Sequence, residues 1–408
     1  MEPLETLIRD EIATTGPITC ARFMALALYH PLYGYYAGGG QGREPLGWSG
    51  DYITSGDLHP LWGWTIARQL HQMWQLLNSP RHFDVIEAGA GRGLLAREIW
   101  RYAIECAPEW AAALRYTLLD RAPEQSPLRA AREQRLAGEL TGLGAPSSAV
   151  TWAADVAHIA PRSLTGCIVS NELVDALPVH LLEKHGDTLS ERYVALGRAT
   201  GQFIEQIGAP SSQEVAAYLD AYKVPWRAFP DGWRCEVCPA AALWLRDISV
   251  VLARGFVLTI DYGDIARHLY TPNRRRGTLA VYMRHTLGED PLAHPGQQDL
   301  TAHVNFTALI AAGRAVGLRL AGLTTQADFL RRLGIRAEAE AVAARLYPAA
   351  DTERHTDRGQ ADYLRKRMLL GAVAPLLDPH GLGGFRVLIQ QRGVSGAGRR
   401  LLGLQAEV

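Results

Sequence analysis

The chain has 408 residues, 48% of them hydrophobic and 21% charged, with 42 basic and 42 acidic side chains. That length suits one large domain or two ordinary ones, and the composition excludes a disordered chain. The balanced charge gives no reason to expect a nucleic-acid or membrane partner, and no apolar run is long enough to span a bilayer.

In chain order, residues 1 to about 30 carry two helical repeats. Leu4, Leu7, Ile8 and Ile12 recur at helical spacing, Gly16-Pro17 breaks the chain, and Thr19 can cap a second helix through Phe23, Met24, Ala27 and Leu28. The segment from Met1 to Leu7 is acidic early and lacks both a signal-peptide core and an Arg-rich presequence, so a cytoplasmic location is expected. An aromatic turn, His30-Pro31-Leu32-Tyr33-Gly34-Tyr35-Tyr36, leads into a glycine-rich loop at 38–42 and then the hydroxylated Gly50-Asp51-Tyr52-Ile53-Thr54-Ser55. Packing is the plainer reading of Tyr33, Tyr35 and Tyr36, and a lid over a cleft is the alternative. A long helix is predicted from about Pro60 to Leu77.

The stretch Phe83-Asp84-Val85-Ile86-Glu87-Ala88-Gly89-Ala90-Gly91-Arg92-Gly93-Leu94-Leu95 reads as a buried parallel strand, a tight turn and a helix start. Its glycines allow positive φ and close backbone approach to a ligand, although strand-to-helix turns are also glycine-rich for packing reasons alone. A dinucleotide fingerprint needs a glycine where this chain has Leu94. Glu87, two residues before the first glycine, would repel a diphosphate and welcome a cation. S-adenosylmethionine carries an ammonium and a sulfonium.

Strands and helices then alternate. Tyr116 to Asp120 is a second strand ending in an acid placed to accept from ribose hydroxyls, and a helix follows from about Pro123 to Leu140. Ala149 to Trp152 is a third strand with Asp155 just beyond, and Thr165 to Ser170 is a fourth that opens into Asn171-Glu172-Leu173-Val174-Asp175-Ala176-Leu177-Pro178-Val179. Phe256 to Gly263, Leu318 to Leu323 (after a helix from Phe306 to Val316) and Phe385 to Gln391 complete seven strands. The fold class is therefore α/β, a doubly wound and mostly parallel seven-stranded sheet covered on both faces.

The expected division is an N-terminal helical extension and covering loop at 1–80, a core at 81–391 and a tail at 392–408. The core carries insertions at 181–245 and 264–304 and a helical segment at 326–370; loops this long at strand ends are usually binding apparatus. The first insertion shows a strand-like patch from Arg192 to Ile207 and a helix near Ser212 to Tyr222. Arg274-Arg275-Arg276 reads as a solvated turn. Cys235-Glu236-Val237-Cys238 has metal or redox spacing without a second pair, and the dispersed histidines form no ligand cluster, so no metal is expected.

Glu87, Asp120, Asp155, Asn171-Glu172 and Asp261 all fall at or just past predicted strand ends, an electronegative crevice suited to a cationic ligand. Asp155 alone would read as a helix N-cap. Glu172 and Asp175, at i and i+3, would share one face of a helical turn and could clamp a guanidinium or ammonium; equally, Glu172 could cap the turn and Asp175 pair with a surface base.

These motifs together resemble the MidA-like family of S-adenosylmethionine-dependent methyltransferases, which includes a mitochondrial complex I assembly factor that methylates an arginine. The likeness runs through Gly16 to Thr19, His30 to Tyr36, Gly50 to Ser55, Glu87 to Gly93, Ser170 to Val179, Asp261-Tyr262-Gly263, His294-Pro295-Gly296, Asp299 to Phe306 and Thr325 to Leu330. The family often has a bulkier residue at 173 or 174, Ser-Pro-Glu where this chain has Ser55-Gly56-Asp57, and Glu where it has Asp120.

The resemblance implies a class I methyltransferase core in which Glu87, Gly89, Gly91 and Gly93 hold the methionine portion of the cofactor. It implies that Asp120 takes the ribose, that Asp155 lies near the adenine, and that Thr54 and Ser55 close over the pocket. Asn171, Glu172 and Asp175 would face the methyl acceptor. The expected reaction is methyl transfer from S-adenosylmethionine to a protein arginine nitrogen. A small-molecule O- or N-methyltransferase and a non-catalytic assembly factor that retains cofactor binding are the alternatives. A homodimer is left open.

Overall fold

The structure is a computed structural model that describes residues 2–39, 44–45, 47, 50, 54–120, 126–198, 200–283, 286–394, 396 and 400–405. Asp51, Tyr52, Ile53 and most of the glycine-rich loop, all singled out in the sequence, lie outside the described residues.

Seven strands form the central sheet: β1 (Phe83–Ala88), β2 (Leu114–Leu119), β3 (Val150–Ala153), β4 (Leu164–Asn171), β5 (Leu252–Asp261), β6 (Arg319–Thr325) and β7 (Arg386–Arg392). Their order is β6-β7-β5-β4-β1-β2-β3. β7 runs antiparallel between β5 and β6, and the other pairings are parallel. Alternate residues of each inner strand feed two apolar clusters. Phe83, Val85, Cys167, Val169 and Leu258 point to one face, while Ile86, Ile168 and Val257 point to the other. Burial on both faces explains why these strands read as continuous apolar runs.

Helices α1 (Pro3–Thr15) and α2 (Cys20–Tyr29) open the chain, with Gly16 ending the first at φ 86° and the Thr19 hydroxyl accepting from Arg22 N–H to cap the second. α3 (Leu61–Leu76) and α4 (Leu94–Cys106) cover the first face of the sheet, and α5 (Pro127–Gly142) packs alongside through Leu136 and Leu140. α6 (Pro239–Val251) and α7 (Phe306–Ala315) cover the second. The segment after β6 is helical, as expected, over Gln326–Arg332, Ile335–Leu346 and Asp357–Ala372.

The first insertion holds more strand than its sequence pattern suggests. His180–His185, Thr188–Leu196, Phe203–Gly208 and Arg234–Val237 form an antiparallel sheet, and Ile18–Thr19 from the extension joins it by pairing with Val194 and Tyr193. Leu4, Ile8, Phe23 and Met24 pack with Val194, Val179 and Leu300 in one buried cluster, so the extension and the insertion share a core. Periodicity could not report this, because the partners lie far apart in the chain. α3, by contrast, belongs to the core of the main sheet. Arg275 and Arg276 are exposed, as a solvated turn requires.

Candidate active site

The β1 register sets Ala88 level with Leu119 on β2 and Ser170 on β4, and Ile260 on β5 pairs with Asn171. The carboxyl ends of four parallel strands therefore open on one crevice. A cavity of about 260 Å³ lies there, lined by the strand tips together with residues of the extension and of α6.

At the tip of β1, Glu87 is buried and its Oε2 accepts from the Tyr116 hydroxyl at 2.7 Å. Burial pushes its carboxyl up to about 8, partly offset by Tyr116 and the Ala96 N–H. Gly89, Gly91 and Gly93 adopt φ of 71°, 52° and 74°. Gly89 and Gly91 line the cavity. Gly93 does not: it opens α4, and a Cβ there would stand 2.6 Å from Leu136 Cδ2 on α5. The structure places Gly93, expected at the cofactor, at a turn and packing position off the cavity lining.

Asp120 lines the cavity just past β2 and pairs with the buried Arg132 of α5 at 3.4 Å, while Arg132 also holds Glu44 at 2.7 Å. Asp155 lines the cavity beyond β3 and also caps the short turn Val156–His158 by accepting from Ala157 N–H at 2.9 Å.

At the tip of β4, Glu172 sits at φ 49°, a left-handed backbone unusual for a side chain of this size. Its Oε1 accepts from Ser55 N–H and from Asn171 Nδ2, each at 3.0 Å, and its own N–H donates to Ile260 O at 2.9 Å. Burial, with Asp175 adding, pushes it up to about 7. Asp261 at the end of β5 is fully buried and accepts backbone N–H groups through both oxygens. Oδ2 takes Val174 at 2.9 Å with Leu173 and Asp175 at 3.3 Å, and Oδ1 takes Tyr262 at 2.9 Å. Burial, then Asp175 and Glu172, raise Asp261 well above the usual carboxylate range.

Asp175 corrects the expected clamp. Glu172 and Asp175 do not share a helical face, because the positive φ of Glu172 puts it outside the short turn Val174–Ala176. Asp175 is buried away from the cavity lining, where its Oδ2 accepts from the Tyr262 hydroxyl and its Oδ1 has no hydrogen-bond partner among the described residues. Burial pushes it up to about 6.

Ser55 is likewise not a cavity residue. Its N–H holds Glu172 and its hydroxyl accepts from Gln326 Nε2 at 3.2 Å, while Gln326 Oε1 accepts from Trp62 Nε1 at 3.0 Å. Thr54 does line the cavity, and its N–H and hydroxyl donate to Asp57 Oδ2. Asp57 in turn pairs with Arg92 inside the glycine turn.

Of the aromatic turn, Tyr36 reaches the cavity and donates to Asp299 at 3.0 Å, whereas Tyr35 is packed away and Tyr33 stacks on His30 at 5.2 Å. Sequence reasoning missed Arg92, Arg132 and Gln326, whose partners come from remote segments. Among the described residues no group of three His, Cys, Asp or Glu side chains could hold a metal, and no helix is long and apolar enough to cross a membrane. Burial pushes the Cys238 thiol up to about 12 and raises Cys235 as well, which leaves both poor nucleophiles.

These residues fit S-adenosylmethionine. The side-chain-free corner at Gly89 and Gly91 admits close approach, Glu87 offers a buried carboxyl whose ionised form a bound ammonium would stabilise, and Asp120 offers acceptors to a ribose. Fold and site together define an S-adenosylmethionine-dependent methyltransferase with the class I sheet order.

Residues 65–324 match the family described as "Putative S-adenosyl-L-methionine-dependent methyltransferase", and the chain belongs to that family. It is 31% identical, with a TM-score of 0.81, to a crystal structure of a "likely methyl transferase" from Burkholderia thailandensis bound to S-adenosyl-homocysteine, covering 98% of this chain and 94% of that one. The Homo sapiens mitochondrial protein arginine methyltransferase NDUFAF7 is 27% identical over 359 residues, 82% of this chain and 74% of the relative. The Drosophila melanogaster homolog is 26% identical over 403 residues, 93% and 87%.

The cytoplasmic expectation is overturned by these relatives, which are named as mitochondrial proteins. It rested on the lack of a targeting pattern in the first few residues, and such a lack carries no address of its own.

Proposed function

We propose that this methyltransferase modifies a nitrogen of a protein arginine. The observation that carries the reading is Glu172, a half-buried carboxyl lining the cavity on the strand next to the glycine corner, with one oxygen fixed by Ser55 and Asn171. The names of the relatives support the choice of acceptor.

When bound, S-adenosylmethionine supplies an electrophilic methyl group on a sulfonium sulfur. Glu172 Oε2 orients the acceptor nitrogen and takes the proton that the nitrogen gives up. A carboxyl pushed up to about 7 suits that transfer near neutral pH. Asp175 lies behind Glu172, and its negative charge, present above about pH 6, favours a cationic acceptor. Glu87, Gly89 and Gly91 hold the methionine end, Asp120 the ribose and Asp155 the adenine end, and Thr54 closes the same pocket. Ser55 acts through Glu172, Asp175 through Tyr262, and Gly93 by shaping the turn.

The test is transfer of tritiated methyl from S-adenosylmethionine to lysate protein, followed by amino-acid analysis of the label. Methylarginine that disappears with Glu172→Gln is the expected result. Label confined to a low-mass fraction would replace the protein acceptor by a metabolite. No label anywhere, with cofactor still bound, would point to a binding protein without catalysis.

A further inference from the structure

The helix Gln326–Arg332 starts where β6 ends, and its first side chain, Gln326, is fully buried together with Trp62 and Ser55. A buried amide must place every hydrogen it carries. The Trp62 indole can only donate and the Leu382 carbonyl can only accept, so these two partners set which way the amide points. Its Oε1 accepts from Trp62 Nε1 at 3.0 Å, and its Nε2 donates to Leu382 O at 2.9 Å. The second Nε2 hydrogen goes to Ser55 Oγ at 3.2 Å. The backbone N–H of Gln326 donates to Phe385 O at 2.7 Å, which ties the residue to the entry of β7. One side chain thereby joins α3, the Ser55 turn of the extension and the last part of the sheet.

Ser55, held in this way, is the residue whose N–H donates to Glu172 Oε1 at 3.0 Å. Its N–H and its hydroxyl both favour the ionised form of Glu172, against the rise caused by burial. We propose that Gln326 is a positioning residue for methyl transfer, one that holds the Ser55 turn where it can fix an oxygen of Glu172. The segment 326–391 then takes part in the chemistry although none of its residues lines the cavity. The inference rests on the reading of Glu172 as the proton acceptor given above.

Single-turnover methyl transfer on the full chain, followed across neutral pH, tests it with Gln326→Met, Ser55→Ala and the double variant. Each single change lowers the rate about tenfold through misplacement of Glu172, with S-adenosylhomocysteine affinity held within about twofold by calorimetry. The midpoint of the pH limb rises by about half a unit, because Glu172 loses donors that favour its charge. Asp175 on the neighbouring turn and Asp261 on β5 are the titratable groups that face Glu172, and both stay in place. The double variant loses no more than the larger single one, since the two residues act through one contact. Leu330→Ala, a cavity in the same helix, lowers the Tm and leaves the midpoint alone. Gln326→Glu, one donor short at the same volume, shifts the midpoint the same way by less and serves where Gln326→Met does not fold. Losses that multiply in the double variant, or a wild-type midpoint in a folded Gln326 variant, overturn the inference and leave Glu172 standing. A pH limb that survives Glu172→Gln overturns the reading of Glu172, and this inference with it.

Discussion

Two corners of the crevice lie on neighbouring strands and solve the same backbone problem differently. After β1 the chain turns through left-handed conformations at Gly89, Gly91 and Gly93, where the absence of a Cβ makes them cheap. After β4 it does so at Glu172, φ 49°, where a side chain makes it cost about 1–2 kcal/mol. The second corner is held from outside. Ile260 O receives the Glu172 N–H, Asp261 gathers the next three N–H groups, and Ser55 reaches across from the extension to the carboxylate. The glycine corner is flexible chemistry fixed by local sequence. The Glu172 corner is a carboxyl fixed by remote partners, which suits its proposed role of meeting an acceptor in one orientation.

Glu172→Gln gives the most direct break in that comparison. It keeps the acceptor oxygen for Ser55 and removes the base, so kcat should fall about 100- to 10,000-fold while S-adenosylhomocysteine affinity changes little. Equal loss of both, measured by single-turnover transfer and calorimetry, would move Glu172 into the cofactor site. At the other corner, Gly91→Val forces a β-branched residue into φ 52° and should weaken cofactor binding by roughly two orders of magnitude. Unchanged affinity would show that the corner does not hold the cofactor.

Asp261→Asn sharpens the comparison, since it weakens the acceptor that gathers the turn without touching the cavity. A drop of about tenfold in kcat with an unchanged cofactor Kd is expected, and a shifted pH profile would mark positioning of Glu172 apart from simple loss of stability. Gly93→Ala should do the reverse of Gly91→Val: the Cβ meets Leu136, so the Tm falls by a few degrees while affinity holds.

The smallest effects are those of pH. The turnover rate should rise with pH through about 7 as Glu172 ionises, and the limb should vanish in Glu172→Gln. Stability should run the other way. Glu87, Glu172 and Asp175 are all raised in the folded protein, to about 8, 7 and 6, so their contribution is intact below the ordinary carboxylate range and is lost as pH climbs toward about 8. Thermal scans across that interval check the slope, which Glu87→Gln should flatten.

The strands were legible because burial on both faces writes apolar runs, and each run from Phe83 to Gln391 ends near an acid or a turn residue that the structure places at a strand end. Glu87 with its glycines could be read as a cation-tolerant corner for the same reason: strand, acid and turn are contiguous, and their geometry is set within a dozen residues. Asp120 and Asp155 followed from position relative to β2 and β3. What could not be read was how Glu172 is oriented, since its i, i+3 spacing to Asp175 suggested one face and the backbone put them on different sides.

Local sequence thus determined the sheet, the glycine corner and the acids at the crevice, because strand periodicity, glycine conformation and charge act over short stretches. Only the tertiary structure decided that the Ser55 N–H reaches Glu172, that Ile18 completes a sheet begun at His180, and that Arg132 stands against Asp120. Each of those contacts joins segments whose separation along the chain leaves no periodic trace, and each exists because buried N–H groups and buried charges must find partners wherever the packed fold brings one within reach.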